Sequence, residues 1–220
     1  MSTESSVRER TSVREKKPAE VPNDKTKVKE PSPAPEWNQL ALCATNDAPL
    51  GILRPIMIVL EISCHGLLWI VATITMLMCI HKANHVEIVF NLFFGLIFDI
   101  LLVCLIKWLV QRQRPSANYM DMVATSKVDQ YSFPSGHATR ACYLAIFIAK
   151  QVPDTRKLIV FTYTWAAFVC FSRLLLGRHH FTDVLCGCII GVLEFYVLEM
   201  LWISQSTCSF ILSPLLGELV

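Results

Sequence analysis

Long apolar runs are the feature that most constrains how this chain can fold. Three of them, residues 56–80, 86–106 and 184–203, contain 20 residues or more. A helix of about 20 residues crosses the roughly 30 Å hydrocarbon core of a bilayer. Two shorter runs, 138–152 and 158–171, need their polar flanks to complete a crossing, so their ends are expected to line a recess. The runs predict an all-α, polytopic integral membrane bundle with five spans.

The distribution of charge supports the same conclusion. Residues 1–35 carry 14 of the 38 charged side chains, which leaves 24 among the other 185 residues, or about 13%. Soluble domains carry about 25% charged residues. A chain so poor in charge cannot cover a compact soluble globule. The net charge of +2 is also too small to indicate a nucleic-acid partner.

Composition divides the chain into four segments. They are a disordered cytosolic tail (1–35), a linker or interfacial helix (36–54), a transmembrane domain (55–205) and a C-terminal tail (206–220). The first segment is rich in Ser, Pro, Glu, Lys and Arg, which is the composition of disorder. No apolar stretch follows the initiating Met, so no cleaved secretory signal is expected.

The loops between the runs fall into two sets. Residues 81–85 and 151–156 form short loops on one side, and 111–136 and 172–183 form longer loops on the other, together with the tail. The second set holds most of the loop Lys and Arg, which favours the cytosol. Because several of those cations are also candidates for chemistry, the side of the membrane stays open.

Three blocks of polar residues lie in or beside the longer loops. In chain order they are Lys107 with Arg114-Pro115, then Pro134-Ser135-Gly136-His137, then Ser172-Arg173 with His179 and Asp183. Their chemistry suits a phosphoryl group, whose transfer spreads negative charge over three oxygens. Lys107, Arg114 and Arg173 supply three cations. Lys107 and Arg114 are seven residues apart, so two turns of one helix would place both in the same pocket before Pro115 ends it.

The second block predicts the start of a helix. Ser135 is a favoured N-cap residue, and the free N–H groups of the first turn form an anion site. Gly136 lets a phosphate approach the backbone closely. His137 lies in that first turn, where it can donate a proton to a leaving oxygen.

The third block predicts a nucleophile with a partner. His179 and Asp183 are four residues apart, one helical turn, so the carboxylate can hold one ring nitrogen of the imidazole. The other nitrogen is then free to attack phosphorus.

The three blocks together resemble the type 2 phosphatidic acid phosphatase (PAP2) superfamily. Its members include lipid phosphate phosphatases, undecaprenyl diphosphate phosphatases and vanadium haloperoxidases. The surroundings at 131–140 and 176–179 are similar to the polyisoprenoid (presqualene) diphosphate phosphatase branch. The resemblance covers residues 107–183 strongly, the flanking spans loosely, and the tail not at all.

The resemblance implies a role for each site residue. His179 would form a phosphohistidine, Asp183 would orient it, and His137 would protonate the leaving group. The phosphate-binding residues would be Lys107, Arg114, Ser135, Gly136 and Arg173. The family needs no metal or cofactor. It generally has a six-helix core, so a sixth helix is expected either from residues 36–47 or from a re-entrant 208–220 run.

The resemblance also implies a substrate and a place in the cell. The preferred substrate is an isoprenoid diphosphate of the presqualene or farnesyl type, and the protein is expected in the membrane of the endoplasmic reticulum or nuclear envelope. A glycerolipid or sphingolipid phosphate is the main alternative. A non-catalytic membrane scaffold is less expected, because every motif residue is present. The oligomeric state, including a homo-oligomer, stays open.

Some residues lie outside the motifs. Arg140 and Arg178 flank the two histidines, and the sequence suggests that they meet the second phosphate of a diphosphate. Asp99 lies midway along an apolar run, where a carboxylate is usually paired or functional; Glu61 is a weaker case of the same kind. The cysteines lie mostly in apolar runs without ordered spacing, so neither a disulfide framework nor a zinc site is predicted.

Overall fold

The computed structural model describes residues 41–80, 83–116, 118, 130–152 and 156–216. Within these ranges every regular element is helical, which confirms the all-α prediction. The α-helices are α1 (Arg54–Ser63), α2 (Gly66–Cys79), α3 (Ala83–Val110), α4 (Gly136–Gln151), α5 (Arg156–Leu175), α6 (Phe181–Met200) and α7 (Gln205–Leu216). The predicted disordered tail, 1–35, lies outside the described residues.

Three helices are long and apolar enough to cross a membrane: α3, α5 and α6. The predicted run 56–80 is broken into α1 and α2, which meet at 47° and form a fourth span if they are taken together. The α4 helix has only 16 residues. Among the described residues, length and composition therefore support three or four spans, and the fifth predicted span is the short helix that was expected to line a recess.

The break between α1 and α2 is held by tryptophans. The Trp69 Nε1–H donates to the carbonyl oxygen of Ser63 at 2.9 Å, and the Trp165 Nε1–H donates to the Ser63 hydroxyl oxygen at 3.0 Å. The last turn of a helix leaves carbonyl groups without intrahelical partners, and in a membrane these must be satisfied by protein. The Ser63 carbonyl at the break is thus satisfied by a side chain of the protein.

The α4 helix packs against both α5 and α6. Gly187 and Gly191 of α6 face its backbone: a Cβ atom on either would collide with the carbonyl oxygen of Ser135 or Thr139. Two small residues four apart let helices in a membrane approach backbone to backbone. This close contact fixes the first turn of α4 against α6.

The two ends of the described chain pack on the bundle. At one end the Cys43 N–H donates to the Leu175 carbonyl oxygen at 2.7 Å. Within the segment predicted as a linker or interfacial helix (36–54), residues 42–50 form turns and bends, Gly51–Leu53 form a 3-10 helix, and residues 36–40 lie outside the described part. At the other end α7 packs against α3, where Leu212 joins a cluster with Val86 and Val89.

Candidate active site

Four helix ends meet at one end of the bundle. The loops predicted to share one side do so in the described residues: the Ser132 N–H donates to the Arg112 carbonyl oxygen at 2.8 Å, and the Ser135 N–H donates to that of Asp183 at 3.1 Å. The C-terminal ends of α3 and α5 and the N-terminal ends of α4 and α6 therefore surround one recess. Every predicted site residue lies on these ends or on the loops between them.

Three cations converge on this recess. Lys107 lies in the last turn of α3 and is 4% exposed, and Arg173 lies in the last turn of α5 and is fully buried. The Arg114 Nη1–H donates to the carbonyl oxygen of Arg178 at 2.8 Å. The charges of all three act on His179, and those of Lys107 and Arg173 also act on His137. The predicted cation cluster is thus brought together.

The prediction that α3 carries both Lys107 and Arg114 is wrong in one respect. The helix ends at Val110, because Gln111 adopts a left-handed conformation with φ 49° and its N–H donates to the Lys107 carbonyl oxygen at 2.9 Å. Such a residue satisfies the last carbonyls and stops the helix. Arg114 therefore reaches the recess from the loop.

The start of α4 has the features of an anion site. Ser135 is the N-cap, with φ −75° and ψ 104°, but its hydroxyl makes no capping hydrogen bond. The buried Ser135 Oγ and His137 Nε2 atoms find no hydrogen-bond partner among the described residues. A Cβ atom at Gly136 would touch only Val103, at 3.2 Å. The turn therefore offers backbone N–H groups, a hydroxyl and an imidazole nitrogen to a ligand.

His179 lies in the loop between α5 and α6 and is 3% exposed. Its Nδ1 atom is 2.7 Å from the carbonyl oxygen of Ser132. That hydrogen bond assigns the proton to Nδ1 and leaves the Nε2 lone pair available for attack. Burial lowers the pKa of His179 well below its ordinary value, and the charges of Arg114, Arg173 and Lys107 lower it further. Both effects favour the neutral form of the imidazole.

Asp183 does not hold His179, contrary to the spacing argument. Its Oδ2 atom is 4.0 Å from His179 Nδ1, but it accepts a hydrogen bond from the His180 N–H at 2.9 Å and is 3.0 Å from His180 Nδ1. Its Oδ1 atom accepts from Arg112 Nη1 at 2.6 Å. The reason is that α6 begins only at Phe181, so the two residues do not share a helical turn. The Ser132 carbonyl orients His179, and Asp183 holds the turn that carries it.

Arg140 has its partners inside the bundle, although its charge also acts on His137. It pairs with Asp99 at 2.6 Å, and its Nη1–H donates to the Cys64 carbonyl oxygen at 3.2 Å. Asp99 is fully buried. This pairing argues against the suggestion that Arg140 meets a second phosphate, and it identifies the partner of the carboxylate in the middle of α3.

Two residues of the first run also lie near the site: sequence reasoning named Glu61 without its partners and missed His65. Glu61 places one carboxylate oxygen 3.1 Å from Arg173 Nη1 and the other 3.4 Å from Arg178 Nη2. The His65 ring lies 6.4 Å from that of His137, centroid to centroid. The only signal was an acidic residue within an apolar run, which carries no information on its partner.

Three cysteines meet below the recess, although their spacing predicted no cluster. The sulfur atoms of Cys142, Cys170 and Cys188 lie within 4.8 Å of one another, with Cys170 and Cys188 3.6 Å apart. Structural zinc takes four protein ligands. No fourth His, Cys, Asp or Glu joins this group in the described part of the chain. The thiols join α4, α5 and α6 as packed small side chains.

A known protein family matches the part of the chain that carries these residues. A family model described as the PAP2 superfamily matches residues 88–208, which include every predicted site residue. The probable lipid phosphate phosphatase beta of Arabidopsis thaliana is 32% identical, with 46% of this chain and 59% of the relative covered. Phosphatidylglycerophosphatase B of Bacillus subtilis (strain 168) is also 32% identical, with 46% of this chain and 51% of the relative covered.

The fold has a solved counterpart. A crystal structure of a transmembrane PAP2-type phosphatidylglycerolphosphate phosphatase from Bacillus subtilis matches with a TM-score of 0.53 and 26% identity. The match covers 73% of this chain and 80% of the other. By contrast, the chain spans only slightly more than half the length of the two curated relatives.

Proposed function

Because the chain belongs to the PAP2 superfamily, we propose that it is a membrane phosphatase that removes phosphate from lipids through attack by His179. The observation that carries the proposal is the neutral, buried imidazole of His179, whose Nδ1 is held by the Ser132 carbonyl while three cations surround it. A nucleophile held by a hydrogen bond beside an anion site is the arrangement that covalent phosphoryl transfer requires.

The reaction has two steps. The Nε2 lone pair of His179 forms a bond to phosphorus, the bond from phosphorus to the leaving oxygen breaks, and His137, protonated once the phosphate anion is bound beside it, gives that oxygen a proton. Water then attacks the phosphohistidine while His137 takes a proton from it, which releases phosphate and restores both histidines. The unpartnered Nε2 of His137 supports this assignment.

The surrounding residues stabilise the transferring phosphoryl group. Lys107, Arg114 and Arg173 would offset the charge on its oxygens, and the first turn of α4 would donate backbone N–H groups from Gly136 onward, with the Ser135 hydroxyl beside them. Asp183 acts through the turn that carries His179, by holding His180 and Arg112. Three cations supply the positive charge that a metal ion provides in other phosphoryl-transfer enzymes, so the mechanism is proposed to run without a metal.

The proposed substrate is an isoprenoid diphosphate, or the corresponding monophosphate, of the presqualene or farnesyl type. The residues around the motifs support this choice, and a recess at the end of a bundle lets an apolar tail remain in the bilayer. The activities named for the two relatives favour a second candidate, a glycerolipid phosphate such as phosphatidate or phosphatidylglycerophosphate. We place the protein in the endoplasmic reticulum or nuclear envelope, which microscopy of a tagged chain would test.

Phosphate release by purified protein in detergent tests the function. Farnesyl diphosphate, presqualene diphosphate, phosphatidate and phosphatidylglycerophosphate are compared with EDTA present, and the substrate with the highest kcat/KM identifies the class. His179→Ala should lose at least about 10⁴-fold in turnover, since it lacks the nucleophile. The matched control is His85→Ala, an exposed histidine at the opposite end of α3. Release that requires added metal, or that survives in His179→Ala, would overturn the mechanism.

A further inference from the structure

Glu61 makes contacts that the phosphatase mechanism does not use. It lies in the last turns of α1 and is 8% exposed. Its two carboxylate oxygens meet two different guanidinium groups, Arg173 at 3.1 Å and Arg178 at 3.4 Å. Both arginines are themselves buried, at 0% and 2% exposure. A single carboxylate thus bridges two enclosed cations at the edge of the recess.

The two guanidinium groups of this bridge are arranged as they would be around a phosphate. Arginine binds carboxylate and phosphate oxygens in the same planar geometry, so two guanidinium groups that hold two carboxylate oxygens can also hold two phosphate oxygens. The Nε and Nη2 atoms of Arg173 are buried and find no hydrogen-bond partner in the described part of the chain. Arg173 also lies close enough to His179 for its charge to lower the pKa of that histidine. The bridged position therefore adjoins the reacting centre.

We propose that Glu61 is a resident counter-anion: in the free enzyme it holds Arg173 and Arg178 in place, and a substrate phosphate oxygen takes over part of its contacts on binding. The inference rests on the proposed function, because it assigns the incoming anion as a phosphate. Glu61 thereby balances two buried charges that would otherwise repel each other, and it keeps Arg173 oriented for the transition state. It is a positioning residue that weakens binding of the ground-state phosphate.

Two opposite effects follow from removing the carboxylate charge. Without Glu61 as a competitor, the two arginines bind inorganic phosphate more tightly. Without Glu61 as a support, Arg173 is less well placed in the transition state, so kcat falls. A residue that only stabilised the fold would lower the amount of active protein and leave phosphate affinity and KM unchanged.

The experiment measures phosphate binding and turnover separately. Full-length protein in detergent is titrated with inorganic phosphate by calorimetry, and kcat and KM are measured with the preferred lipid. Glu61→Gln keeps the shape of the side chain and removes its charge. The matched control is Glu199→Gln, an exposed glutamate of α6 outside the site. For Glu61→Gln we expect phosphate to bind at least fivefold more tightly and kcat to fall at least tenfold, while Glu199→Gln matches the wild type.

A second variant keeps the test decisive if Glu61→Gln does not fold. Glu61→Asp retains the charge but shortens the side chain, so it should lose the longer contact to Arg178 and bind phosphate more tightly than the wild type, by a smaller factor. Unchanged or weaker phosphate binding in whichever variant folds would overturn the inference. Because binding is measured without turnover, a wild-type protein that binds phosphate but releases none from any lipid would overturn the proposed function alone.

Discussion

Two buried arginines, Arg140 and Arg173, differ in how completely their charge is used within the protein. Arg140 has an ion pair with Asp99 at 2.6 Å and a hydrogen bond to a backbone carbonyl. Arg173 has an ion pair with Glu61 at 3.1 Å, and its Nε and Nη2 atoms have no hydrogen-bond partner among the described residues. Arg140 thus makes two contacts and leaves only its Nε atom without a partner in the described part of the chain, whereas Arg173 leaves both Nε and Nη2 for an anion. We call the first pair closed and the second open.

The comparison separates stability from activity. A buried ion pair rarely stabilises a protein more than apolar side chains would, yet removing one partner leaves an uncompensated charge at high cost. The closed pair should therefore affect folding when it is broken. The open pair lies beside the nucleophile, so its loss should affect the chemical step.

The largest expected effect is on stability, from Asp99→Asn. It leaves the Arg140 charge buried without its carboxylate, which costs about 3–5 kcal/mol. Thermal unfolding in detergent should show a large loss, while the kcat of the folded fraction changes little. Asp47→Asn, an exposed position, is the control. Replacing both partners, as Asp99→Leu with Arg140→Met, should recover much of the stability; a tenfold loss of kcat in folded Asp99→Asn would contradict the assignment.

The second prediction concerns Arg173→Ala. Loss of one transition-state donor usually costs about 10²–10³-fold in kcat, and Glu61 still has Arg178 as a partner, so the unfolding temperature should fall less than in Asp99→Asn. Arg156→Ala serves as the control, because it removes an exposed arginine at the other end of α5. Equal stability losses in the Asp99 and Arg173 variants, with kcat preserved in both, would remove the distinction between the two pairs.

The third prediction tests the reassignment of Asp183. If it holds the turn that carries His179, then Asp183→Asn and Arg112→Gln each break the same ion pair and should reduce kcat by about 10- to 100-fold, the scale of a small misplacement of a reacting group. The double variant should be no worse than the worse single one, since coupled residues are not additive. A loss in Asp183→Asn as complete as in His179→Ala would favour a direct role.

The positions of the helices and the shared end of the site were predictable because their signals are local. Apolar length marks α3 and α6, and the loops assigned to one side bring Lys107, His137 and Arg173 to the same recess. The loops can be grouped because only membrane-spanning helices connect the two sides of the bilayer. Successive spans therefore alternate in direction, and every second loop lies on the same side.

The partners of the charges were not predictable, because they depend on contacts distant in sequence. Nothing near Asp99 points to Arg140, and nothing near Glu61 points to Arg173. The partner of Asp183 was missed for a smaller reason: the start of α6 at Phe181 removes the helical turn that the four-residue spacing assumed. The partner of His179 is a backbone carbonyl, for which no side-chain pattern exists.

The smallest predicted effect concerns pH. It tests whether the charges of the cations around His179 lower the pKa of that residue. Attack requires neutral His179, whose pKa is lowered below its ordinary 6.5 by burial first and by Arg114 next. The acid limb of kcat/KM should therefore lie below pH 6.5 in the wild type.

Arg114→Gln sharpens this test. A cation disfavours the protonated imidazole, so removing one raises the pKa of His179 and should move the acid limb of kcat/KM to higher pH, by about 0.5–1 unit. The same lipid is used for both proteins, so the effect of substrate ionisation on the pH profile is the same in each. Glutamine is chosen because it can still donate to the Arg178 carbonyl oxygen that Arg114 contacts. The control is Arg156→Ala, which leaves the limb in place. A limb that stays where it is in Arg114→Gln would mean that burial alone keeps His179 neutral, and that the cations near it act only on the phosphate.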